Sequence, residues 1–503
     1  MANTLDRADV LSGDRARYRE MLFIDVFRET AQANPGSAAV YEEGQTITYQ
    51  ELDRLSSRCA DKLRQEGIEK GDTIAIDCGR SIQTIAAMLA SLKLGSVYVY
   101  IDDAYPQRRI QSVLAETECR YIIRPSFWDN IGQYRPVFER ADLKPEDPAL
   151  MIYTSGSTAK PKGVILMQKN LVAAMYNFEP FRTGTGDHFG VFPSFGFVAS
   201  VSDIYSSLAV GAVLYLIPQE IRKNIRELVQ YYYRHRIKVT FLPPHMARKL
   251  LRENIDGIPL ELLLVGSEAV SNMPKAPFTM LNVYGSSEMT SMISYYEIKE
   301  VDSAEISPIG KLAEGLKGYI VKEDGTPARD GEKGELYLAG QRVAKGYYAM
   351  PKESAERFVV NPYDASEEYK ILYKTNDLVI RRPDGNMVYV GRKDNVYKIR
   401  GFRVEDTAVE DALRRCDYIE EAAVTAFKDQ GGCSILCAYV VSRQTIDPKK
   451  VKKWLESIIP RYMVPTCIFQ LDSLPRGSGG KLDRRQLVPP PELNDHKKLE
   501  ELY

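Results

Sequence analysis

Between Ala149 and Val164 the chain reads ALMIYTSGSTAKPKGV, an apolar run that passes into a loop of small hydroxylated and glycine residues and then two lysines, Lys160 and Lys162. A short apolar run that stops at a glycine-rich loop reads as a buried strand. The loop that follows has the chemistry phosphate needs. Glycine lets backbone N–H groups approach oxygens closely, Thr and Ser hydroxyls donate further hydrogen bonds, and lysine supplies charge. It is not a Walker A loop, because GxxxxGK[ST] cannot be aligned on it.

Working outward, similar apolar runs recur between helical patterns: DTIAIDC from Asp72, SVYVYI from Ser96 and LLLVG from Leu262. That alternation predicts α/β layers. From Gly334 to Val390 the texture changes to short strands broken by Gly, Pro and Asp, and RRPDGNMVYVG reads as a hairpin. Beyond it, helix and strand alternate again: EDAL, from Glu410, is read as opening a helix, EEAAVTAF leads into a strand, and PKKVKKWLESII is an amphipathic helix. The expectation is an α/β fold: a large N-terminal body of layered α/β subdomains plus a β-rich portion, with a small mobile α+β C-terminal domain.

A chain of 503 residues holds several domain-sized cores. With 67 Lys and Arg against 68 Asp and Glu, no net field draws it toward nucleic acid or an anionic membrane, so neither is expected as a partner. The seven cysteines (Cys59, Cys78, Cys119, Cys416, Cys433, Cys437 and Cys467) form no CxxC pair, which fits a reducing cytoplasm. The charged N-terminus lacks the apolar stretch of a secretory signal, and no run approaches a membrane span; a cytoplasmic protein is expected.

Nine segments, in order, carry a resemblance: TYQEL from Thr48, LKLGSVYVYID from Leu92, YTSGSTAKPKGV from Tyr153, NVYGSSEMT from Asn282, GELYLAGQRVAKGYY from Gly334, YKTNDL from Tyr373, GRKDNVYKIRGFRVE from Gly391, PRYMVP from Pro460 and LPRGSGGKLDRR from Leu474. With these the chain resembles the adenylate-forming superfamily of acyl-CoA synthetases, luciferases and nonribosomal peptide synthetase adenylation domains. It looks most like the peptide synthetase branch, including the D-alanine:carrier protein ligases. The resemblance implies ATP and Mg²⁺ as cofactors, an adenylation core over residues 1–393, a lid over 394–487, and a linker or tail over 488–503.

It also implies roles for individual residues. Thr154, Ser155, Gly156, Ser157, Thr158 and Lys162 would meet phosphate, and Gly266, Ser267, Glu268, Asn282, Tyr284 and Gly285 would bind the nucleotide, Tyr284 stacking on adenine and Asn282 meeting its polar edge. Glu288 would hold Mg²⁺, Asp377 would accept the ribose hydroxyls with Arg392 nearby, and Asp394 would be the hinge. Lys481 is the expected catalytic ammonium, aligning the substrate carboxylate and neutralising charge on the α-phosphate. Lys398 would face the nucleotide or the thiol according to the lid's pose.

Four positions depart from the family pattern. Ala159 and Asn376 stand where glycine is usual, and Gln168 where histidine is common; Asn376 suits the left-handed conformation a glycine would supply. The fourth bears on substrate. Val198 stands where α-amino-acid enzymes carry the Asp that pairs with the α-ammonium, and an unpaired buried charge costs about 3–5 kcal/mol. By the same alignment the acid pocket comprises Phe197, Val198, Ala199, Ser202, Phe241, Leu263, Val265, Val283, Ser291 and Met292, apolar and without a carboxylate. A shifted alignment would make Asp203 the anchor instead.

The expected function is ATP-dependent adenylation of a small carboxylic acid lacking an α-ammonium (α-keto, α-hydroxy, aryl or short fatty), then thioester formation on the phosphopantetheine of a carrier protein. Free CoA as acceptor, an α-amino acid as substrate, and an inactive nucleotide-binding scaffold are the alternatives.

Overall fold

The computed structural model describes residues 10–12, 22–102, 105–137, 141–154, 162–175, 183–271, 273–299, 306–394, 396–399, 401–429, 434–476, 482 and 484–489. The apolar run before the phosphate loop is the strand Pro148–Thr154, within a six-stranded sheet. It lies parallel to Val97–Tyr100, which in turn is parallel to Thr73–Ile76, itself parallel to Tyr121–Ile123; on its other side it is antiparallel to Lys162–Met167. A second sheet of nine strands has a parallel centre formed by Val213–Leu216, His188–Val191, Val239–Leu242, Leu262–Gly266 and Thr279–Ser286. One apolar core unites the two sheets, with Ile74, Ile76, Leu150 and Ile152 from the first and Val239, Phe241, Leu262 and Leu264 from the second.

The helices between them start where local chemistry says they should. In TYQEL, the Thr48 hydroxyl accepts from the Glu51 N–H while the Glu51 carboxylate accepts from the Thr48 N–H at 2.8 Å, a reciprocal cap that opens Tyr49–Gln65. Ser81 caps Ile82–Leu94, which ends at Gly95 with φ 73°. A side chain on Gly95 would also meet Leu143, its Cβ 2.4 Å from Cδ2.

The β-rich portion is a third, antiparallel sheet of Val10–Ser12, Leu316–Val321, Lys333–Gly340, Ile371–Arg381 and Phe358–Val360, with Met387–Arg392 paired to Ile371–Arg381. The hairpin expected at RRPDGN closes with the Gly385 N–H donating to the Arg382 carbonyl at 2.9 Å. The sheet begins earlier than the texture of the sequence suggested, because Leu316–Val321 supplies the neighbour that Lys333–Gly340 needs.

From Val396 onward the chain forms a two-stranded and a three-stranded sheet with helices Asp406–Arg414 and Pro448–Glu456 and a core of its own. The first helix opens at Asp406 rather than at Glu410. Glu410 is mid-helix and turned inward, where its carboxylate accepts from the Val424 N–H at 2.8 Å and from Arg484 at 2.6 Å. Among the described residues no helix is long and apolar enough to cross a membrane.

Candidate active site

The ends of the nine-stranded sheet, the antiparallel sheet, Lys398 and residues 401–403 meet around a solvent-open cleft of about 1280 Å³, the space at its mouth included. Of the residues singled out from sequence, Thr154, Phe197, Val198, Ala199, Ser202, Phe241, Ser267, Val283, Tyr284, Gly285, Glu288, Ser291, Met292, Asp377, Arg392 and Lys398 line it. Glu268 and Asn282 line an adjoining slot with Ser267, Tyr284 and Lys398. Ser155, Gly156, Ser157, Thr158, Ala159 and Lys481 lie outside the described residues.

At one end the cleft is polar and densely paired. The Tyr284 hydroxyl donates to Asp377, whose other oxygen accepts from Arg392. Arg392 also grips Asp394 with two bonds of 2.6 and 3.0 Å. Burial alone would raise the Asp394 carboxyl, yet its bonds to Arg392 and to the Asn376 amide hold it at about 2. Asn376 sits at φ 60°, the left-handed conformation expected of it, so the residue that replaces glycine keeps the backbone path and adds a 2.7 Å bond to Asp394. Lys398 lies 5.3 Å from the Tyr284 ring centroid, and burial pushes its ammonium down.

Glu288 is buried and accepts from the Tyr347 hydroxyl at 3.0 Å and from Arg403 at 2.9 Å. Burial opposes its ionisation, but Arg403 and these bonds hold the carboxyl below its ordinary range. Lys162 does not line the main cleft; it is buried over the Tyr347 ring, 5.6 Å from the centroid. No group of three or more His, Cys, Asp or Glu suited to a metal occurs among the described residues. Glu288 is a hard oxygen donor of the kind Mg²⁺ takes, one carboxylate with the remaining ligands from water and substrate phosphate, and in this pose one of its oxygens is bonded to Tyr347 and Arg403.

Two glycines are required by close approach. A Cβ on Gly266 would lie 2.2 Å from the Val283 carbonyl oxygen, and one on Gly285 would lie 2.1 Å from that of Ser291. Gly266 is thus a strand-pairing residue that does not line the cleft, whereas Gly285 borders it. The amide nitrogen of Asn282 is committed to the carbonyls of Ser307 and Pro308, at 3.3 and 2.6 Å.

The acid end corrects the sequence reading in two ways. Leu263 and Val265 face away from the cleft, into the core with Leu228, Tyr232 and Leu250, and Leu264 lines the cleft instead. Side chains alternate across a strand, so a one-residue error in register exchanges every face. The pocket is also not free of a carboxylate, since Asp203 lines it. Thr290 and Ser291, at φ 51° and 81°, hold left-handed conformations unusual for such residues at its edge, and the Ser202 hydroxyl donates to Ser291 at 2.6 Å.

Arg403, Tyr105, Phe402, Tyr462 and Tyr373 were missed as cleft residues. Arg403 and Phe402 belong to the quoted segment GRKDNVYKIRGFRVE, and its strand pattern over Val396–Ile399 and Phe402–Glu405 was the available signal. The Gly401 N–H donates to Glu268 at 2.6 Å and the Phe402 ring stacks on Tyr462 at 4.1 Å, which seats this turn in the cleft.

Comparison with known proteins places these features in context. The family model for AMP-binding enzymes matches residues 27–348, and that for the AMP-binding enzyme C-terminal domain matches 408–481. Gramicidin S synthase 1 of Brevibacillus brevis is 33% identical over 508 residues, which cover 96% of this chain and 46% of that protein. The chain spans less than half the length of the curated relatives it matches. Among solved structures, NpsA-ThdA, an artificially fused adenylation-PCP di-domain from Klebsiella oxytoca, superposes with a TM-score of 0.81 at 26% identity over 91% of this chain and 95% of that one. Klebsiella oxytoca NpsA in complex with 3-hydroxyanthranilyl-AMSN gives 0.68 at 26% identity over 93% and 98%.

Proposed function

The chain belongs to the AMP-binding enzyme family, and from that premise we propose that it adenylates a carboxylic acid with ATP and passes the acyl group to the phosphopantetheine thiol of a carrier protein. The observation that carries this reading is one continuous cleft joining an apolar chamber, lined by Phe197, Val198, Phe241 and Met292, to the polar array of Tyr284, Asp377, Arg392 and Glu288. An acid seated in the first has its carboxylate directed at a phosphate held in the second. A substrate carboxylate oxygen attacks the α-phosphorus, a C(O)–O–P bond forms, and the bond to the leaving pyrophosphate breaks. The thiol sulfur then attacks the acyl carbon, and AMP leaves with the C–O bond pair.

In this account Asp377 accepts the ribose hydroxyls. Its oxygens are already bonded to Tyr284 and Arg392, which fixes them in place, and each keeps a second lone pair for the ligand. Ser267, Glu268, Asn282 and Tyr284 would frame the base, and Thr154, Ser155, Gly156, Ser157, Thr158 and Lys162 would meet the phosphates. Mg²⁺ at Glu288 would supply charge neutralisation on the phosphates. Lys481 would align the carboxylate with the α-phosphate during adenylation.

The pose described here supports the second half of the cycle. Lys398 and the Gly401–Arg403 turn occupy the cleft, and Arg403 supplies the positive charge at Glu288. Asp394, held by Arg392, Arg357 and Asn376, is the proposed pivot for exchanging this turn with the Lys481 loop.

The acid is proposed to lack an α-ammonium. Val198 is buried at the chamber and offers no charge to such a group. The aryl ligand of NpsA makes an aryl acid the leading candidate. A carrier domain in the NpsA-ThdA fusion favours a carrier protein over free CoA as acceptor. The experiment is mass spectrometry of a holo carrier protein incubated with enzyme, ATP, Mg²⁺ and acid. Wild type is expected to load it, while Lys481→Ala binds ATP but makes at least about a hundredfold less adenylate. Equal turnover by both proteins would refute the assignment of Lys481.

A further inference from the structure

Between the strand Lys333–Gly340 and the strand Gly346–Tyr347, which pairs with Lys162–Met167, the chain forms a strap alongside residues 288–292. Asn170 anchors the strap, its amide donating to the carbonyls of Gln341 at 2.6 Å and Val343 at 3.2 Å. Three bonds then join strap and wall in step. The Ala344 N–H donates to the Glu288 carbonyl at 2.9 Å, the Thr290 hydroxyl donates to the Arg342 carbonyl at 2.9 Å, and the Arg342 guanidinium donates to the Met292 carbonyl. Arg342 is 2% exposed and does not border the cleft, whereas Ser291 and Met292 do. Burying a guanidinium is costly unless its bonds are good, and among the bonds of this one is a hold on the backbone of the chamber wall.

That wall needs such a hold. Thr290 and Ser291 are consecutive non-glycine residues with left-handed φ, a conformation that persists only where the surroundings over-determine it. Sheet pairing does little to fix it, because the register of Thr279–Ser286 against Ser291–Glu297 shifts between Tyr284 and Gly285, just where Gly285 meets Met292. Phe241 and Leu264, by contrast, stand in register on adjacent parallel strands. We propose that Arg342 is a positioning residue that fixes the size of the acid chamber, its carbonyl holding Thr290 and its guanidinium holding Met292, so that the Met292 side chain closes the chamber at one depth. This rests on the adenylation reading above and names what sets the length of the acid within it. The Ser202 hydroxyl tethers Ser291 separately at 2.6 Å, so loss of the Arg342 hold loosens the wall rather than dismantling it.

The test is acid-dependent pyrophosphate release by the full chain with ATP and Mg²⁺, over series of α-keto, α-hydroxy, α-amino, benzoic and straight-chain fatty acids lengthened one methylene at a time. The readout is the ratio of kcat/KM for the best acid to that for its next longer homologue, expected to be about tenfold or more in wild type. Arg342→Met, which keeps an unbranched stem and drops the donor, should bring that ratio to within about threefold while the KM for ATP moves less than about threefold. Arg342→Lys, which still donates, should keep part of the ratio. In a Met292→Ala background Arg342→Met should leave the ratio where it stands, because the side chain through which Arg342 acts is gone. An equal loss on every acid with the ratio unchanged would overturn the proposal and leave Arg342 a purely structural residue, as would a change of ratio in the Met292→Ala background or a wild-type ratio under about threefold. If Arg342→Met fails to fold, Thr290→Val, which removes the hydroxyl bond alone, decides: a lowered ratio supports the hold and an unchanged one overturns it. Silence of wild type with every acid would instead refute the adenylation reading itself.

Discussion

The nucleotide end of the cleft links Tyr284, Asp377, Arg392 and Asp394 by charge-assisted bonds and places Glu288 against Arg403, whereas the acid end sets Phe197, Val198, Phe241 and Met292 around one unpartnered carboxyl. The carboxylates of the first wall are all paired before any ligand arrives. The second is apolar apart from that carboxyl and the hydroxyls of Ser202 and Ser291. A nucleotide is the same in every turnover, so its site can be preorganised by fixed partners, while the acid chamber expresses selectivity through what it leaves open.

The largest expected effect comes from breaking the first wall. Asp377→Ala removes a buried acceptor that Arg392 and Tyr284 share, and should lower stability by about 3–5 kcal/mol, read from denaturant unfolding. A loss under 1 kcal/mol would show that Asp394 alone can hold Arg392 and that the network is less interdependent than its geometry implies.

The next effect sharpens the second wall. Val198→Asp places a carboxylate where an α-ammonium would lie. It should lower stability by about 1–3 kcal/mol without ligand and improve the selectivity for an α-amino acid over its deamino analogue about tenfold or more. Pyrophosphate release with the two acids checks it, and unchanged selectivity would place Val198 away from the α-carbon.

The two walls differ in the same way in how far they could be read from sequence. Asp377, Arg392 and Asp394 stand in short polar segments, YKTNDL and GRKD, whose roles follow from the resemblance and whose strands pair Asp377 directly with Arg392. The parallel layers were legible for the related reason that buried strands are continuous apolar runs. That same continuity hid the acid wall. In LLLVG every residue is apolar, so nothing in the string says that Leu264 faces the cleft and Leu263 and Val265 the opposite core. From the sequence Asp203 reads only as a substitute anchor, because the widened turn that holds it has no signature in the sequence. Arg403 lay in plain view, but its bond to Glu288 depends on how two parts of the chain far apart in sequence come together.

An effect that is smaller per pH unit follows from Asp203. Its folded pKa, about 8, lies above the ordinary carboxylate value, so between about pH 4 and 8 the unfolded chain binds fewer protons than the folded one. Wild-type stability should therefore fall relative to Asp203→Asn as pH rises through that window, by at most about 1.4 kcal/mol per pH unit. Parallel stability curves for the two proteins would show that the carboxyl is not held neutral.

The smallest expected effect lies at the pivot. Asn376→Gly loses the bond to Asp394 but keeps the φ 60° backbone at no steric cost, whereas Asn376→Ala loses the bond and is strained as well. Alanine should be the less stable of the two by about 1 kcal/mol in thermal unfolding. The reverse order would mean that the left-handed backbone at this position relaxes freely.

The central claim, that one cleft joins an acid chamber to an adenylating site, is tested most directly by pyrophosphate release from ATP and Mg²⁺ in the presence of matched α-amino, α-keto, α-hydroxy, aryl and short fatty acids. The account predicts release that depends on the acid and favours one lacking the α-amine. Release that favours an α-amino acid would contradict the reading of Val198, and no release with any acid would contradict the adenylating site.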